Sequence, residues 1–309
     1  MQNRKDTKQF ALILILIFVS LRFVYSQSQS RPQSQPQSQT QPAIPDSDIF
    51  LVDFSNGSPK GKPVNITHRE GYDNQPYFLP HSSDVFYTSI AKDQADIYRY
   101  NLKTGKSTAF TNTPESEYSA GLTPDEKSIS MVRVEADKTQ RLWEFPLNGG
   151  PPRLVLTKIK PVGYYLWIST NTLVAFLLGE PNTLQQIDRS SETTKTIAKD
   201  IGRCIQKVPG KPEISFVKMV GENPKSIEIY DLQNGSTKTL IATLPGSEDY
   251  VWTPSGQLLS GKGSKLFSFD PAKDKGWKEI ADFSAYGLKS ITRLAMDPSG
   301  KKLALVSGL

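Results

Sequence analysis

A turn centred on proline recurs along this chain at nearly constant spacing, and it constrains the possible folds more than any other feature. Successive copies are 44, 45, 40, 45 and 44 residues apart, and serine replaces proline in the third copy. We call these six segments the anchor turns; they are centred on Pro80, Pro124, Ser169, Pro209, Pro254 and Pro298. Such a period indicates a protein built from six copies of one supersecondary unit.

Each repeat contains four short segments that are typical of β-strands. In the second repeat, the apolar and β-branched run Ser128 to Val134 follows the anchor turn. The next segment, Leu142-Trp143-Glu144-Phe145, mixes aromatic and polar residues, and Gly149-Gly150 then supplies a hairpin turn. The last segment is polar, as in Thr237 to Ile241 of a later repeat, and suits a solvated outer edge. Four strands in about 40–45 residues predict the blade of a β-propeller.

The two ends of the repeat region each supply half of the sixth unit. Residues 49–54 and 63–67 match the third and fourth strands of a repeat. Residues 293–296 and 303–306, on either side of Pro298, match the first and second strands. The sequence therefore predicts an all-β, six-bladed β-propeller of four-stranded antiparallel blades. The N- and C-terminal strands would close the ring in one split blade, with residues of about 47–69 outside and about 291–307 inside.

The N-terminal segment has the order of a secretory signal peptide. Basic residues precede an apolar run from Phe10 to Leu21, which is shorter than the roughly 20 residues that cross a bilayer. The following stretch consists almost entirely of Gln, Ser, Pro and Thr, and it has too few apolar residues to fold. We predict a signal peptide over 1–26, a disordered linker over 27–45 and the propeller over 46–309. A signal that stays uncleaved and holds the protein to a membrane is the alternative.

The repeats resemble those of a known family. The anchor turns are similar to the Ser-Pro-Asp-Gly turn of TolB-like (PD40) propellers of the WD40-like group, and Asp96-Ile97-Tyr98 with Thr104-Gly105 fits their third strand. The resemblance covers residues of about 46–309 and implies a propeller that tends to bind partners. TolB itself has a small N-terminal domain where this chain has the linker. Peptidases with such propellers carry a serine hydrolase domain, and the segments outside these blades are too short for one.

Residue types with catalytic potential are few. The sequence has no Gly-x-Ser-x-Gly motif, and its two histidines fall at a strand end, His68, and in an anchor turn, His81. The single cysteine, Cys204, is predicted to be a small buried hydrophobe. Residues 256–262 have the spacing of a phosphate-binding loop, but they cross a predicted strand and do not begin a helix. We therefore predict a protein that is not an enzyme and needs no cofactor.

Neither the charge distribution nor the carboxylates indicate a nucleic-acid or metal site. The formal net charge is +6, but residues 1–26 carry four basic and one acidic side chain, and the other basic residues form no concentrated patch. This distribution argues against binding of nucleic acid. Some six-bladed propellers hold Ca²⁺ with carboxylates near one mouth of the channel, and the candidates for such ligands are Glu70, Asp73, Glu117, Glu248 and Asp249. Because these acids are scattered, no metal is predicted.

The repeat alignment also predicts a binding site. The positions five and six residues before each anchor turn differ from blade to blade and are expected in the loops that lead from an outer strand to the next inner strand, around the central funnel. Tyr and Arg are frequent anchors of interfaces. The predicted binding residues are Asn74, Gln75, Tyr118, Ser119, Tyr164, Arg203, Glu248, Asp249 and Arg293. The position two before the anchor turn is mostly large and apolar, as in Trp167 and Trp252, and is predicted to pack between blades.

These features favour a monomeric, exported protein-binding module of the periplasm or the cell exterior. Its partner would be a protein, and a membrane would be contacted only through an uncleaved signal. Two alternatives remain open at this point. One is a propeller that uses carboxylates at the channel mouth, with Ca²⁺, as an enzyme or as a small-ligand-binding protein. The other is a truncated relative of a propeller-peptidase that lacks the catalytic domain.

Overall fold

The computed structural model describes residues 46–91 and 93–308. The predicted signal peptide, 1–26, and linker, 27–45, lie outside the described residues. The described chain begins with two antiparallel strands, β1 (Asp48–Ser55) and β2 (Ser58–Asn65). Because β1 is almost completely buried and β2 is largely exposed, the first belongs to the interior of a blade and the second to its outer edge.

Five whole blades of four antiparallel strands follow in chain order. Blade 1 contains β3 (Tyr72–Phe78), β4 (Asp84–Ala91), β5 (Gln94–Asn101) and β6 (Lys106–Ala109). Blade 2 contains β7 (Ser116–Leu122), β8 (Ser128–Val134), β9 (Gln140–Pro146) and β10 (Arg153–Leu154). Blade 3 contains β11 (Val162–Ser169), β12 (Thr172–Leu177), β13 (Thr183–Asp188) and β14 (Thr194–Lys199). Blade 4 contains β15 (Ile201–Lys207), β16 (Glu213–Val220), β17 (Asn223–Asp231) and β18 (Thr237–Ala242). Blade 5 contains β19 (Tyr250–Trp252), β20 (Leu258–Lys262), β21 (Lys265–Phe269) and β22 (Lys278–Asp282).

The sixth blade is split between the two ends of the described chain. After a short 3₁₀ turn, Ser284–Tyr286, the chain forms β23 (Ser290–Met296) and β24 (Lys302–Gly308). The sheet order is β2-β1-β24-β23, and Phe50 of β1 pairs with Leu305 of β24. The predicted six-bladed propeller, its split blade and the assignment of inner and outer strands are therefore confirmed.

The hydrophobic core consists of layers between neighbouring blades. In each of five clusters, fully buried side chains from two adjacent blades lie together because the sheets stack face to face around the axis. One pair from each cluster illustrates the pattern: Leu259 and Leu303, Leu142 and Leu173, Val217 and Leu258, Ile49 and Val85, and Ile97 and Ile129. Such layers hold the inner strands in a ring around the channel.

Polar contacts reinforce two of these blade junctions. Trp167 donates a hydrogen bond of 2.9 Å from Nε1 to Ser130 Oγ of the preceding blade, and the Tyr165 hydroxyl lies 2.9 Å from the same oxygen. Trp252 and Tyr250 repeat the arrangement on Ser215, at 2.8 Å each. The predicted role of Trp167 and Trp252 in packing between blades is confirmed, and the hydrogen bonds place both pairs of rings at fixed positions beside the channel.

The outer surface differs from the interior in its composition. All four residues of β6 are exposed, and the other outer strands carry mostly polar side chains, which discourages pairing between sheet edges. The predicted burial of Cys204 is confirmed, since its side chain is only 5% exposed. Within residues 46–91 and 93–308, no helix has the length and apolar character needed to cross a membrane.

Candidate functional site

Irregularities in the inner strands shape the site. The pairing of each inner strand with the next strand shifts in five of the blades, close to the position five or six residues before the anchor turn. In β3 the shift lies between Asn74 and Tyr77, and in β7 it lies between Tyr118 and Gly121. Gln75 and Ser119, at these shifts, have positive φ values of 56° and 57°. A β-bulge bends its strand and redirects a side chain, and here the bulges lie beside the channel.

The predicted binding residues lie mostly within strands and not in loops. Seven of the nine belong to the inner strands β3, β7, β11, β15 and β23, and only Glu248 and Asp249 precede their strand, β19. The prediction of loop positions was wrong for those seven residues because the inner strands begin earlier than the sequence pattern indicates. Strand pairing continues on both sides of each bulge, so one irregular residue does not end the strand.

A cavity of about 600 Å³ lies on the propeller axis, and we call it the funnel. Six predicted residues line its deep end: Gln75, Ser119, Tyr164, Arg203, Asp249 and Arg293. Four anchor-turn prolines line its other end: Pro124, Pro209, Pro254 and Pro298. All inner strands run toward their anchor turns, so the lining extends from the middle of these strands to the anchor-turn side of the ring. The loops that lead into the inner strands lie on the other side, and Asn74, Tyr118 and Glu248 are not among the lining residues.

Arg203 is neutralised by two carboxylates of the neighbouring blade. Its Nε lies 3.1 Å from Asp249 Oδ2, and its Nη1 lies 3.3 Å from Glu248 Oε2. The backbone N–H of Arg203 also donates to Glu248 Oε1. Burial lowers the pKa of Arg203, but the charges of Asp249 and Glu248 outweigh it and raise that pKa well above its usual value. Burial raises the pKa of Glu248, and Arg203 opposes that rise. The contacts among these three groups connect blade 4 to blade 5 at the deep end of the funnel.

Arg293 has a different environment. It belongs to blade 6, and its Nη2 lies 3.5 Å from the hydroxyl of Tyr164 in blade 3, which is on the opposite side of the ring. The guanidinium carbon is 5.5 Å from the centre of the Tyr164 ring, and that ring packs edge-on against Phe176 at 5.9 Å. No carboxylate oxygen of the described residues lies within 4.0 Å of the Arg293 guanidinium. The contact with Tyr164 therefore crosses the channel and narrows the deep end of the funnel.

Two buried or partly buried tyrosines outside the cavity lining, Tyr72 and Tyr118, interact electrostatically with residues of the deep end. Burial raises the pKa of Tyr72 to about 12, while the charge of Arg293 acts in the opposite direction. Burial also raises the pKa of Tyr118, and the neighbouring Tyr72 and Tyr164 add to the shift. We call the six side chains at this level, one from each blade, the floor cluster: Tyr72, Tyr118, Tyr164, Arg203, Asp249 and Arg293.

The sequence pattern identified five members of the floor cluster and missed Tyr72. This residue lies eight positions before its anchor turn, outside the two aligned positions, and only its place at the start of β3 could have drawn attention to it. The pattern also missed the polar network beside the cluster. There, Gln75 Oε1 accepts hydrogen bonds from Thr88 Oγ1 at 2.6 Å and from the backbone N–H of Ser119 at 2.8 Å.

Of the other carboxylates that were candidate metal ligands, Glu70 and Asp73 lie at the start of blade 1 and Glu117 lies in blade 2. Asp73 forms an ion pair of 2.7 Å with Arg69, and Glu117 forms one of 3.1 Å with Arg133. Burial raises the pKa of both acids. Glu70 is only partly buried, and its backbone carbonyl accepts a hydrogen bond from Arg69. Within the described ranges, no group of three or more His, Cys, Asp or Glu residues could hold a metal ion.

The two histidines are structural residues of turns. His68 and His81 have positive φ values of 44° and 57°, and neither side chain lines the funnel. An imidazole base is therefore not available to a ligand in this cavity. The carboxylate residues that line it are Glu126, Asp249 and Asp297, and the carboxylate of Asp249 is held by Arg203.

Comparisons with known proteins identify structures of the same fold but no matching family profile or curated sequence. No family profile and no curated protein sequence matches the chain. Among solved structures, a protein assigned as TolB in Agrobacterium tumefaciens has a TM-score of 0.67 and 14% identity, covering 86% of this chain and 99% of its own. A gluconolactonase of Xanthomonas campestris has a TM-score of 0.62 and 8% identity, covering 88% and 98%. An oligogalacturonate lyase in complex with manganese has a TM-score of 0.52 and 13% identity, covering 80% of each chain.

These neighbours agree with the resemblance that the anchor turns indicate. They share the ring of blades along most of this chain's length, while their names cover a TolB protein and two enzymes. Identities of 8–14% carry information about the fold alone. The chain is thus a six-bladed β-propeller with the fold of TolB proteins.

Proposed function

We propose that this protein is an exported recognition module, not an enzyme, and that it binds a protein partner by receiving a segment of that partner in the funnel. The observation that carries the proposal is the lining of the cavity of about 600 Å³, which joins aromatic and apolar walls to a floor of arginines and tyrosines. Cavities of this size with a few well-placed polar groups are typical of binding sites.

The walls suit a side chain or a short segment of a protein. Tyr77, Trp167, Trp252, Leu122 and Met296 line the funnel between the floor and the anchor turns. Trp and Tyr supply large contact areas at little cost in conformational entropy, and Arg is enriched with them at the residues that dominate binding energy. Hydrogen bonds to Ser130 and Ser215 hold the two Trp rings in place before any ligand arrives. Such preorganisation favours affinity.

The ion pair at the deep end of the funnel argues against Asp249 as a catalytic base. A general base needs a free position beside the substrate. The carboxylate of Asp249 is instead held by the guanidinium of Arg203. The predicted signal peptide, 1–26, supports export to the periplasm or the exterior, where a monomeric module on a flexible linker could reach its partner.

A small-ligand function is the second candidate. Two structural neighbours are a gluconolactonase and an oligogalacturonate lyase, so this fold accommodates chemistry on sugar-derived compounds. The funnel of this chain is large enough for a compound of that kind. Incubation of the purified protein with oligogalacturonate and with gluconolactone, followed by chromatography of the products, tests this candidate. If the protein converts either compound and a funnel variant does not, that result would contradict the proposed non-enzymatic role.

Site-specific photo-crosslinking tests the main proposal. Lys207 lies at the funnel wall and is exposed, and Lys238 is equally exposed on the outer strand β18. A photoreactive amino acid is placed at one position or the other in the full chain, expressed in its host. We expect a discrete protein adduct from position 207 and none from position 238. The same adducts from both positions, or none from 207, would contradict binding in the funnel.

A further inference from the structure

We propose that the floor of the funnel is a carboxylate-binding site, in which Arg293 and the hydroxyl of Tyr164 receive a carboxylate group of the ligand. The inference deepens the proposed function, since it names the chemistry recognised in the same cavity. It concerns the floor only, and its test needs no protein partner.

Arg293 has N–H donors that the hydrogen bonds among the described residues do not use. A guanidinium has five N–H donors in a fixed planar arrangement. The hydrogen bond that Arg293 makes among the described residues is the long one of 3.5 Å to Tyr164, accompanied by the contact with the face of the same ring. A buried charge is costly unless a partner or water satisfies it. The guanidinium lines the funnel, so its remaining donors can reach a group that enters from the open end.

The charges of the floor select the kind of anion. Arg203 and Arg293 carry two positive charges and Glu248 and Asp249 carry two negative ones. Both acids contact Arg203, while the guanidinium of Arg293 has no carboxylate within 4.0 Å among the described residues and feels the charge of Asp249 from further away. A carboxylate supplies one negative charge and two oxygens that match the planar guanidinium. A phosphate dianion would bring a second charge next to Asp249, which the low dielectric of the cavity makes unfavourable. A monovalent carboxylate therefore fits the floor better than a phosphate.

The carboxylate could belong to a peptide or to a free acid, and matched probes distinguish these sources. N-benzoylglycine carries an aromatic ring and a peptide-like carboxylate, N-benzoylglycinamide lacks only the charge, and galacturonate represents a sugar acid. Binding of each probe to the full chain is measured by calorimetry or by ligand-observed NMR titration. We expect N-benzoylglycine to bind, and its amide to bind at least about tenfold more weakly, because the amide cannot form charge-assisted bonds with the guanidinium. Tighter binding of galacturonate would assign the carboxylate to a sugar acid.

Variants of the floor complete the test. We expect Arg293→Gln to weaken N-benzoylglycine at least about tenfold and Tyr164→Phe to weaken it by about two- to fivefold, since the latter removes one hydroxyl and keeps the ring. Arg153→Gln is the matched control, because Arg153 is on the outer strand of blade 2 and 64% exposed. If Arg293→Gln fails to fold, the affinity of the amide probe and the affinity of Tyr164→Phe for N-benzoylglycine still test the carboxylate site.

Equal affinity for the acid and its amide, no binding of either acid, or unchanged binding by a folded Arg293→Gln would each overturn the carboxylate site. Failure of this inference is distinguishable from failure of the proposed function. If the crosslink from position 207 persists in Arg293→Gln while no acid binds, the funnel holds a protein segment without a carboxylate. If the acids bind but the crosslink never forms, the floor site stands and the protein-binding role falls.

Discussion

Arg203 and Arg293 approach the funnel floor from blades 4 and 6 and have opposite electrostatic surroundings. Arg203 contacts two carboxylates of blade 5, whereas Arg293 faces a tyrosine across the channel. The first arrangement joins neighbouring blades through one guanidinium and two carboxylates. The second leaves a guanidinium at the wall of the cavity with no carboxylate within 4.0 Å among the described residues. The floor of one propeller can therefore contain both a structural ion pair and a candidate recognition group.

The largest effect in this comparison should follow the loss of Arg203. Replacement by Leu leaves Glu248 and Asp249 next to each other, buried and without their partner. Removing one member of a buried pair typically costs about 3–5 kcal/mol of unfolding free energy. We expect Arg203→Leu to lower the unfolding free energy by that amount in denaturant titrations followed by tryptophan fluorescence.

A control and a rescue separate this effect from a general sensitivity to losing arginine. Arg153→Leu removes an exposed arginine whose partner, Glu144, also contacts Arg189, so we expect a change below about 1 kcal/mol. Adding Glu248→Gln and Asp249→Asn to Arg203→Leu should recover much of the loss, because the two carboxylates are then no longer left without Arg203. No recovery would show that Arg203 acts through packing and not through charge.

The pH dependence of stability gives a second, smaller effect. Burial raises the pKa of Glu248 above its value in the unfolded chain, so its carboxyl group favours the folded state most at pH values below the unfolded pKa. That contribution is lost as the pH rises through the folded-state pKa. We expect Glu248→Gln, which cannot ionise, to show a smaller decline of the unfolding free energy across this pH window than the unchanged protein. The same decline in both would mean that Glu248 does not titrate there.

The sequence predicted the fold more completely than the site, and the reason is physical. Pro124 and Pro254 mark turns whose spacing is fixed by four strands per blade, so the period alone implies the ring and its split blade. Trp167 and Trp252 are recognisable as packing residues because the position repeats. The serines that accept their hydrogen bonds belong to other blades, 37 residues earlier in each case, and no local pattern reveals that pairing.

The sequence predicted which aligned positions contribute to the candidate site, but not the face of the ring to which its cavity extends. Tyr164, Arg203 and Arg293 are recognisable because they vary at an aligned position, and all three line the funnel. The face on which the funnel opens depends on where each inner strand begins and on the bulges at residues such as Ser119. A bulge adds one residue and interrupts the hydrophobic alternation, and in one sequence such an interruption looks the same as the end of a strand.

The smallest effect on stability should follow the loss of Arg293, although the same change has the largest effect on the proposed ligand. Arg293→Gln removes a half-buried charge that has no ion-pair partner within 4.0 Å among the described residues, and its hydrogen bond and its ring contact both involve Tyr164. The saved desolvation offsets a cation–π contact of about 0.5–2 kcal/mol. We expect the unfolding free energy to change by less than about 1 kcal/mol in the same denaturant titrations. A decrease comparable to that of Arg203→Leu would mean that both arginines are structural, and the contrast between the two sides of the floor would disappear.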